Sequence, residues 1–336
     1  MSKTMKQWQM NGLGVDRLAL VEADIPQPGP GEVLVRVAAV SLNYRDKMVI
    51  ETGMGYPLSF PQVPGSDMAG TVVATGDGVT RVQPGSRVIS AFWTHWFDGK
   101  APDVNGPALG GPAPGVLAQY IVLPQALLVA APHTLSDIEA STLTCAALTA
   151  WFGLIEEGGL RAGQTVLVQG TGGVALFGAQ IALAHGAEVI ITSSSEAKLE
   201  KAGALGIQHG VLRTEGWVQR VLELTGGRGV DQLIALGGSD LGEAIDTLAQ
   251  GGRASVIGLL GGPQFSASIV PFLQRRLTIQ GIGVGHRRAL EDLVRAIDLN
   301  GIRPVIDAEY GIEDLPAALA HVSRGAFGKV VLRLDN

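Results

Sequence analysis

The sequence predicts a two-domain α/β protein, with a mostly β domain joined to a doubly wound parallel-sheet domain. Three observations predict it. Residues up to about 125 alternate short β-type runs with Pro- and Gly-rich turns. Residues 145–285 alternate near-continuous apolar strands with helix-length segments, the pattern of a parallel sheet covered on both faces. A glycine-rich turn, Gly170-Thr171-Gly172-Gly173-Val174-Ala175, stands between the first of those strands and the first of those helices.

In the first zone a turn cluster at 26–31 precedes a strand with Val33, Val35 and Val37 on one face. Residues 71–76, 86–90 and 117–124 read as further strands. In the second zone strand 165–169 leads into a helix near 173–185, strand 188–192 into one near 196–205, and strand 230–236 into one near 241–250. Segments 253–259 and 277–284 complete the sheet. The tail opens with an amphipathic helix at 286–299, apolar along Leu290, Leu293, Val294 and Ile297, with Gly301 as its C-terminal cap. A final strand occupies 329–334. The expected division is 1–126, 127–285 and a returning tail at 286–336.

Bulk properties narrow the function. A chain of 336 residues, 46% hydrophobic and 17% charged, suits a globular protein with sizeable cores. A formal charge of −6 argues against a nucleic-acid or anionic-membrane partner. Cys145 is the only cysteine, which excludes an internal disulfide and a cysteine-only metal cage. A cytoplasmic, reducing setting is the expectation. The N-terminus lacks a signal-peptide core, and no apolar run reaches the ~18 residues needed to span a bilayer.

The glycine turn carries the chemistry. It fits G-x-G-x-x-G/A in the strand–turn–helix context that binds a dinucleotide. Gly170 permits the tight turn, Gly172 lets the backbone approach a pyrophosphate, and Ala175 is small enough for close helix–sheet packing. The N–H groups at Gly173 and Val174 open a helix whose positive end suits phosphate. The next strand of an NAD site ends in Asp or Glu about 20 residues on, bonded to the ribose 2′-hydroxyl. Here Ser193 takes that place, with Ser194 and Lys198 after it and Arg213 following the next short strand. Hydroxyls and cations without a carboxylate suit a 2′-phosphate. NADP(H) is therefore the expected cofactor, with NAD(H) as second choice. The same serines also suit the cap of the helix beginning at Glu196.

An ordered set of segments now stands out: SLNYRD, PQVPGSDMAGTVVATG, VQPGSRV, LTCAALTAW, GTGGVA and FGKVVLRL. In this order, over nearly the full length, the chain resembles the medium-chain dehydrogenase/reductase superfamily. The resemblance implies a GroES-like catalytic domain completed by the C-terminal tail, an inserted Rossmann domain, and an active site in the cleft between them. Zinc-dependent members place a cysteine where this chain has Asn43, a histidine where it has Ser66, and a third ligand at Cys145. Only the last is kept, and Cys145 with Asp67 falls short of the roughly three protein ligands of a catalytic zinc. The four-cysteine structural lobe is replaced by a loop at about 91–114 with Trp93, His95 and Trp96. The match thus moves to a zinc-free branch that looks like quinone oxidoreductases, enone reductases and zinc-type alcohol dehydrogenase-like proteins, and no metal site is expected.

Without a metal, a quinone or α,β-unsaturated carbonyl is the suited acceptor, because it needs only hydrogen bonding to the developing oxyanion and then a proton. A saturated ketone gains more from a Lewis acid. Asn43, Tyr44 and Asp67 are the expected catalytic residues. Arg45 and Asp46 read as a structural ion pair, Cys145 as a buried apolar-type side chain, and His95 as a surface residue. Strand-end position and resemblance add Thr149, Gly237, Gly258, Leu259, Val284 and Lys329 to the cofactor's contacts. Alternatives are an alcohol or aldehyde dehydrogenase, or a non-catalytic NADPH-binding sensor. Segment 277–284, as an edge strand, and the family both point to a homodimer acting on a small carbonyl or quinone.

Overall fold

A computed structural model describes residues 4–102, 106–238, 241–259 and 262–334. The chain folds as two compact units, Met1–Leu148 with Gly285–Asn336, and Thr149–Val284.

The first unit begins with an antiparallel pair, β1 (Thr4–Met10) and β2 (Leu18–Asp24). Then come β3 (Glu32–Leu42), helix α1 (Tyr44–Thr52), β4 (Asp67–Thr75), β5 (Arg87–Ser90), β6 (Tyr120–Pro124) and β7 (Leu128–Ala130). Val33, Val35 and Val37 are buried along β3 while Arg36 faces outward, as the alternation requires. The unit runs further than the expected end at 126. Val88 pairs with Ala130, the Thr144 hydroxyl bonds the Ser90 carbonyl at 2.7 Å, and the Cys145 N–H bonds Asp67 at 3.0 Å. These bonds tie 127–148 to the first unit's sheet.

The second unit contains β8 (Thr165–Gln169), α2 (Gly173–Ala184), β9 (Glu188–Ser193), α3 (Glu196–Ala204), β10 (His209–Leu212), α4 (Trp217–Leu224), β11 (Val230–Ala235), β12 (Leu248–Val256), α5 (Ile269–Arg275) and β13 (Thr278–Gly281). All neighbours are parallel, in the order β10-β9-β8-β11-β12-β13. The order reverses beside β8, so the glycine turn at its carboxyl end lies at the topological switch point where such sheets bind ligands. The helix expected at 241–250 is shorter. One α-turn, Leu241–Ala244, and a 3₁₀ turn, Ile245–Thr247, end at Leu248, which already pairs with Val230. Gly251 and Gly252 then favour the strand over a continued helix.

The tail returns to the first unit with α6 (Arg287–Asn300), β14 (Ile306–Gly311), α7 (Leu315–Ser323) and β15 (Lys329–Arg333). Leu290, Leu293, Val294 and Ile297 are buried, and Gly301 closes α6 at φ +63°. The first unit's main sheet runs β14-β15-β3-β4-β5-β7, with β6 also on β3. Val330 pairs with Leu42. This register brings Lys329 to the end of β3. The 91–114 loop is fastened to the start of α6: Trp96 and Phe97 carbonyls accept the Arg287 and Arg288 N–H groups, and Asp98 pairs with Arg288 at 2.7 Å. Its residues 103–105 lie outside the described residues. No helix among the described residues is long and apolar enough to cross a membrane.

Candidate functional site

In the first unit the site grows from the junction of β3 and α1. Asn43 ends the strand and caps the helix, its N–H donating to the Asp46 carboxylate at 2.8 Å. Burial pushes the Asp46 carboxyl up, against the pull of the Arg45 guanidinium 3.1 Å away. Arg45 also donates to the Leu109 and Gly111 carbonyls at 3.2 and 3.3 Å. This pair holds the loop against α1, in keeping with the structural reading of Arg45 and Asp46.

Beside it runs a buried chain of hydrogen bonds. The Lys329 ammonium donates to the Leu42 carbonyl at 2.7 Å and to Asn43 Oδ1 at 2.5 Å. Asn43 Nδ2 donates to Ser66 Oγ at 3.4 Å, and Ser66 donates to Asp67 Oδ1 at 2.6 Å. Asp67 Oδ2 accepts the Cys145 N–H. The Lys329 end fixes every direction along it. An ammonium can only donate, so the Asn43 oxygen must face Lys329 and its NH2 must face Ser66. Ser66 Oγ then accepts from Asn43, and its single proton is left for Asp67. Burial pushes the Asp67 carboxyl up, opposed by the Lys329 charge, by the bonds from Ser66 and Cys145 and by the Asn43 amide close by. The Cys145 thiol is driven far above its ordinary range, first by burial and then by the Asp67 charge. Its residue is only partly buried, short of the fully buried packing position expected for it.

Asn43 and Asp67 are thus brought together, and Tyr44 is not. Its side chain is exposed, with the Lys47 ammonium 5.9 Å from the ring centre. His95 is exposed, as expected for a surface residue. Ser66 is a working member of the chain that sequence reasoning noticed only as a missing histidine. Lys329, expected among the cofactor contacts, lies in the first unit with its ammonium on Asn43. Its position became visible only through the β15–β3 register.

In the second unit Gly170 has φ +83°, and a Cβ there would stand 2.9 Å from Leu236. The turn therefore needs glycine. Gly172 caps α2, and a Cβ on it would meet nothing within 4 Å, so this face of the backbone is open to a ligand. The N–H groups of Gly173, Val174 and Ala175 precede the first intrahelical bond, Leu176 to Gly172. The open face, the turn and those N–H groups fit a dinucleotide pyrophosphate.

Ser193 is buried at the end of β9, and its hydroxyl accepts the Ser195 N–H at 3.1 Å. The Arg213 N–H donates to the Ser193 carbonyl at 2.8 Å, which places the two residues side by side at adjacent strand ends. Ser194 is exposed and Lys198 half-buried on the first turns of α3. Ser195 stands at the helix N-cap without a side-chain capping bond, so capping does not engage its hydroxyl.

Gly237 owes its identity first to packing. At φ +85° its Cβ would lie 1.8 Å from the Gly258 carbonyl oxygen, so the segments after β11 and β12 touch backbone to backbone. Leu259 is half exposed beyond them. Val284 ends the unit at φ +64°, an uncommon conformation for a β-branched residue. Thr149 is buried at its start. Just before Thr149 the chain passes from a π-turn at Leu143–Ala147 into a short α-turn, Leu148–Trp151.

Comparison with known proteins adds the family context. Residues 29–133 match the alcohol dehydrogenase GroES-like domain, and residues 173–298 match the zinc-binding dehydrogenase domain. The chain is 40% identical over 334 residues to a zinc-type alcohol dehydrogenase-like protein of Schizosaccharomyces pombe, covering 96% of each. Among solved structures, a candidate alcohol dehydrogenase from Sinorhizobium meliloti 1021 superposes with a TM-score of 0.97 at 54% identity, covering 99% of both chains. An NAD-dependent alcohol dehydrogenase superposes with a TM-score of 0.90 at 31% identity, covering 98% of this chain and 100% of that one.

Proposed function

The chain belongs to the medium-chain dehydrogenase/reductase superfamily, and from that premise we propose that it is an NADPH-dependent reductase of quinones, enones or related carbonyls that works without a catalytic zinc. The coarser statement is established by the family: it is an alcohol dehydrogenase-like, NAD(P)H-dependent oxidoreductase. A reduced nicotinamide, when bound, supplies the hydride. Gly170, Gly172, Gly173 and Val174 would hold its pyrophosphate, and Ser193, Ser194, Lys198 and Arg213 its adenosine ribose end.

The observation that carries the acceptor class is the buried chain from Lys329 to Asp67. At the three positions where zinc-dependent relatives place ligands, this chain presents an amide, a hydroxyl and one thiol. Both Asp67 oxygens already accept hydrogen bonds. This donor set does not fit a zinc ion, which is held by thiolate, imidazole or carboxylate. It fits a neutral oxygen acceptor. The second Asn43 N–H is a donor for a carbonyl oxygen that gains negative charge as hydride adds to a conjugated acceptor.

The test is NADPH oxidation over a panel of quinones, enones, aldehydes and saturated ketones, with NADH in parallel, before and after dialysis against a chelator. Quinones or enones are expected to turn over fastest, with no loss after dialysis. Fastest turnover of saturated ketones together with dependence on stoichiometric zinc would establish the alcohol dehydrogenase reading instead. NADPH binding without oxidation across the panel would establish a sensor.

We also propose a homodimer. Strand β13 is an open edge of its sheet, and α5, just before it, exposes Ile269, Val270 and Leu273 at 67%, 50% and 74%. An open edge beside apolar side chains suits pairing with a second copy. Light scattering at micromolar concentration should give the mass of two chains, and Leu273→Glu should shift it towards one. A monomeric wild type would refute the pairing.

A further inference from the structure

We propose that Lys329 is a positioning residue of the reaction: its ammonium orients and polarises the Asn43 amide, so that the remaining Asn43 N–H is aimed at, and strengthened towards, the acceptor oxygen. The inference rests on the reading of Asn43 as the donor to that oxygen. It gives Lys329 a role apart from cofactor binding.

Three features carry it. Lys329 is only 4% exposed and its Nζ bonds two neutral acceptors, the Leu42 carbonyl and Asn43 Oδ1. The Asp67 and Asp46 carboxyls feel its charge, while the hydrogen bonds from its Nζ go to the carbonyl and the amide oxygen. A buried cation acts strongly on the dipoles it touches. Its position is also rigid. The Val330–Leu42 and Val331–Ser41 pairs hold the two strands together directly beside the contact. Finally, the contact selects one of the two amide orientations. With Oδ1 taken by the ammonium, Nδ2 faces Ser66, and positive charge at Oδ1 makes both N–H groups stronger donors.

The experiment compares Lys329→Met, Lys329→Arg, Asn43→Ala and the Asn43→Ala/Lys329→Met double variant in the full chain. It uses NADPH with the best acceptor of the panel. Steady-state kcat and KM, NADPH affinity by fluorescence titration, and Tm are measured for each. Lys329→Met is expected to lower kcat about tenfold to a hundredfold with NADPH affinity changed by less than about twofold. Lys329→Arg should restore most of that loss. The double variant should be no slower than Asn43→Ala alone, because residues acting through one another are not additive. Tenfold weaker NADPH binding with kcat retained would overturn the inference in favour of a cofactor contact. Additive losses would overturn it as well. If Asn43→Ala keeps full kcat, the reading of Asn43 has failed. If Asn43→Ala loses kcat and Lys329→Met does not, only the role of Lys329 has failed. Should Lys329→Met not fold, Lys329→Gln, which keeps a donor and drops the charge, makes the same comparison.

Discussion

Asn43→Ala is expected to lower kcat for quinone or enone reduction about a hundredfold while the fold survives. Loss of one donor to a developing oxyanion costs roughly 10²–10³ in kcat, or about 2.7–4 kcal/mol. Asn43 is the expected source of that donor because its oxygen is engaged by Lys329 and one N–H by Ser66. The effect on stability should be smaller. Ser66 and Asp67 keep their own bond, and Lys329 keeps the Leu42 carbonyl. A buried ammonium deprived of one partner costs about 1–3 kcal/mol, a shift of several degrees in Tm. Asn43→Asp provides a second check. It offers Lys329 an oxygen and removes the N–H donor, so kcat should fall equally. Retention of more than half the wild-type kcat by both variants, on every acceptor used, would show that the oxyanion is stabilised elsewhere.

Much of this was legible in the sequence, and the reasons are physical. Parallel strands buried on both faces leave near-continuous apolar runs, so 165–169 and 188–192 could be placed closely. The glycine turn could be placed because Gly170 must adopt a positive φ that few other residues tolerate. The helix near 241–250 failed because local apolar spacing does not reveal that Leu248 pairs with β11. The boundary at 126 failed for a related reason: Thr144 and Cys145 bond to residues far back in the chain. The chain of bonds at the site was the least visible part. Lys329 and Asn43 are 286 positions apart, and only the antiparallel register of β15 on β3 brings them together. Ser66 was silent because a hydroxyl announces nothing until its neighbours are known. Tyr44 drew attention through its chemistry, yet as the first residue of α1 it projects from the surface beside Lys47.

Ser193→Asp should reverse the choice of cofactor. The proposed preference for NADPH rests on the end of β9, where a buried serine replaces the carboxylate that bonds a ribose 2′-hydroxyl. An aspartate at 193 can accept the Ser195 N–H as the serine hydroxyl does, so the local turn has no reason to change. Its charge, however, would meet a 2′-phosphate of about −1.5 to −2. Two unit charges about 4 Å apart repel by roughly 4 kcal/mol at an effective dielectric of 20, before screening by salt. Lys198 and Arg213 offset part of this. The NADPH kcat/KM should therefore fall about a hundredfold, while that for NADH holds or rises as the carboxylate gains the 2′-hydroxyl. Lys198→Ala should act in the same direction more weakly, by about tenfold for NADPH and little for NADH. The decisive quantity is the ratio of kcat/KM for the two cofactors. A wild-type enzyme that uses both equally, with a ratio unmoved by Ser193→Asp, would place adenosine recognition away from the β9 end. A ratio that swings with residue 193 alone, and not with Lys198, would assign the discrimination to repulsion of the wrong cofactor rather than attraction of the right one.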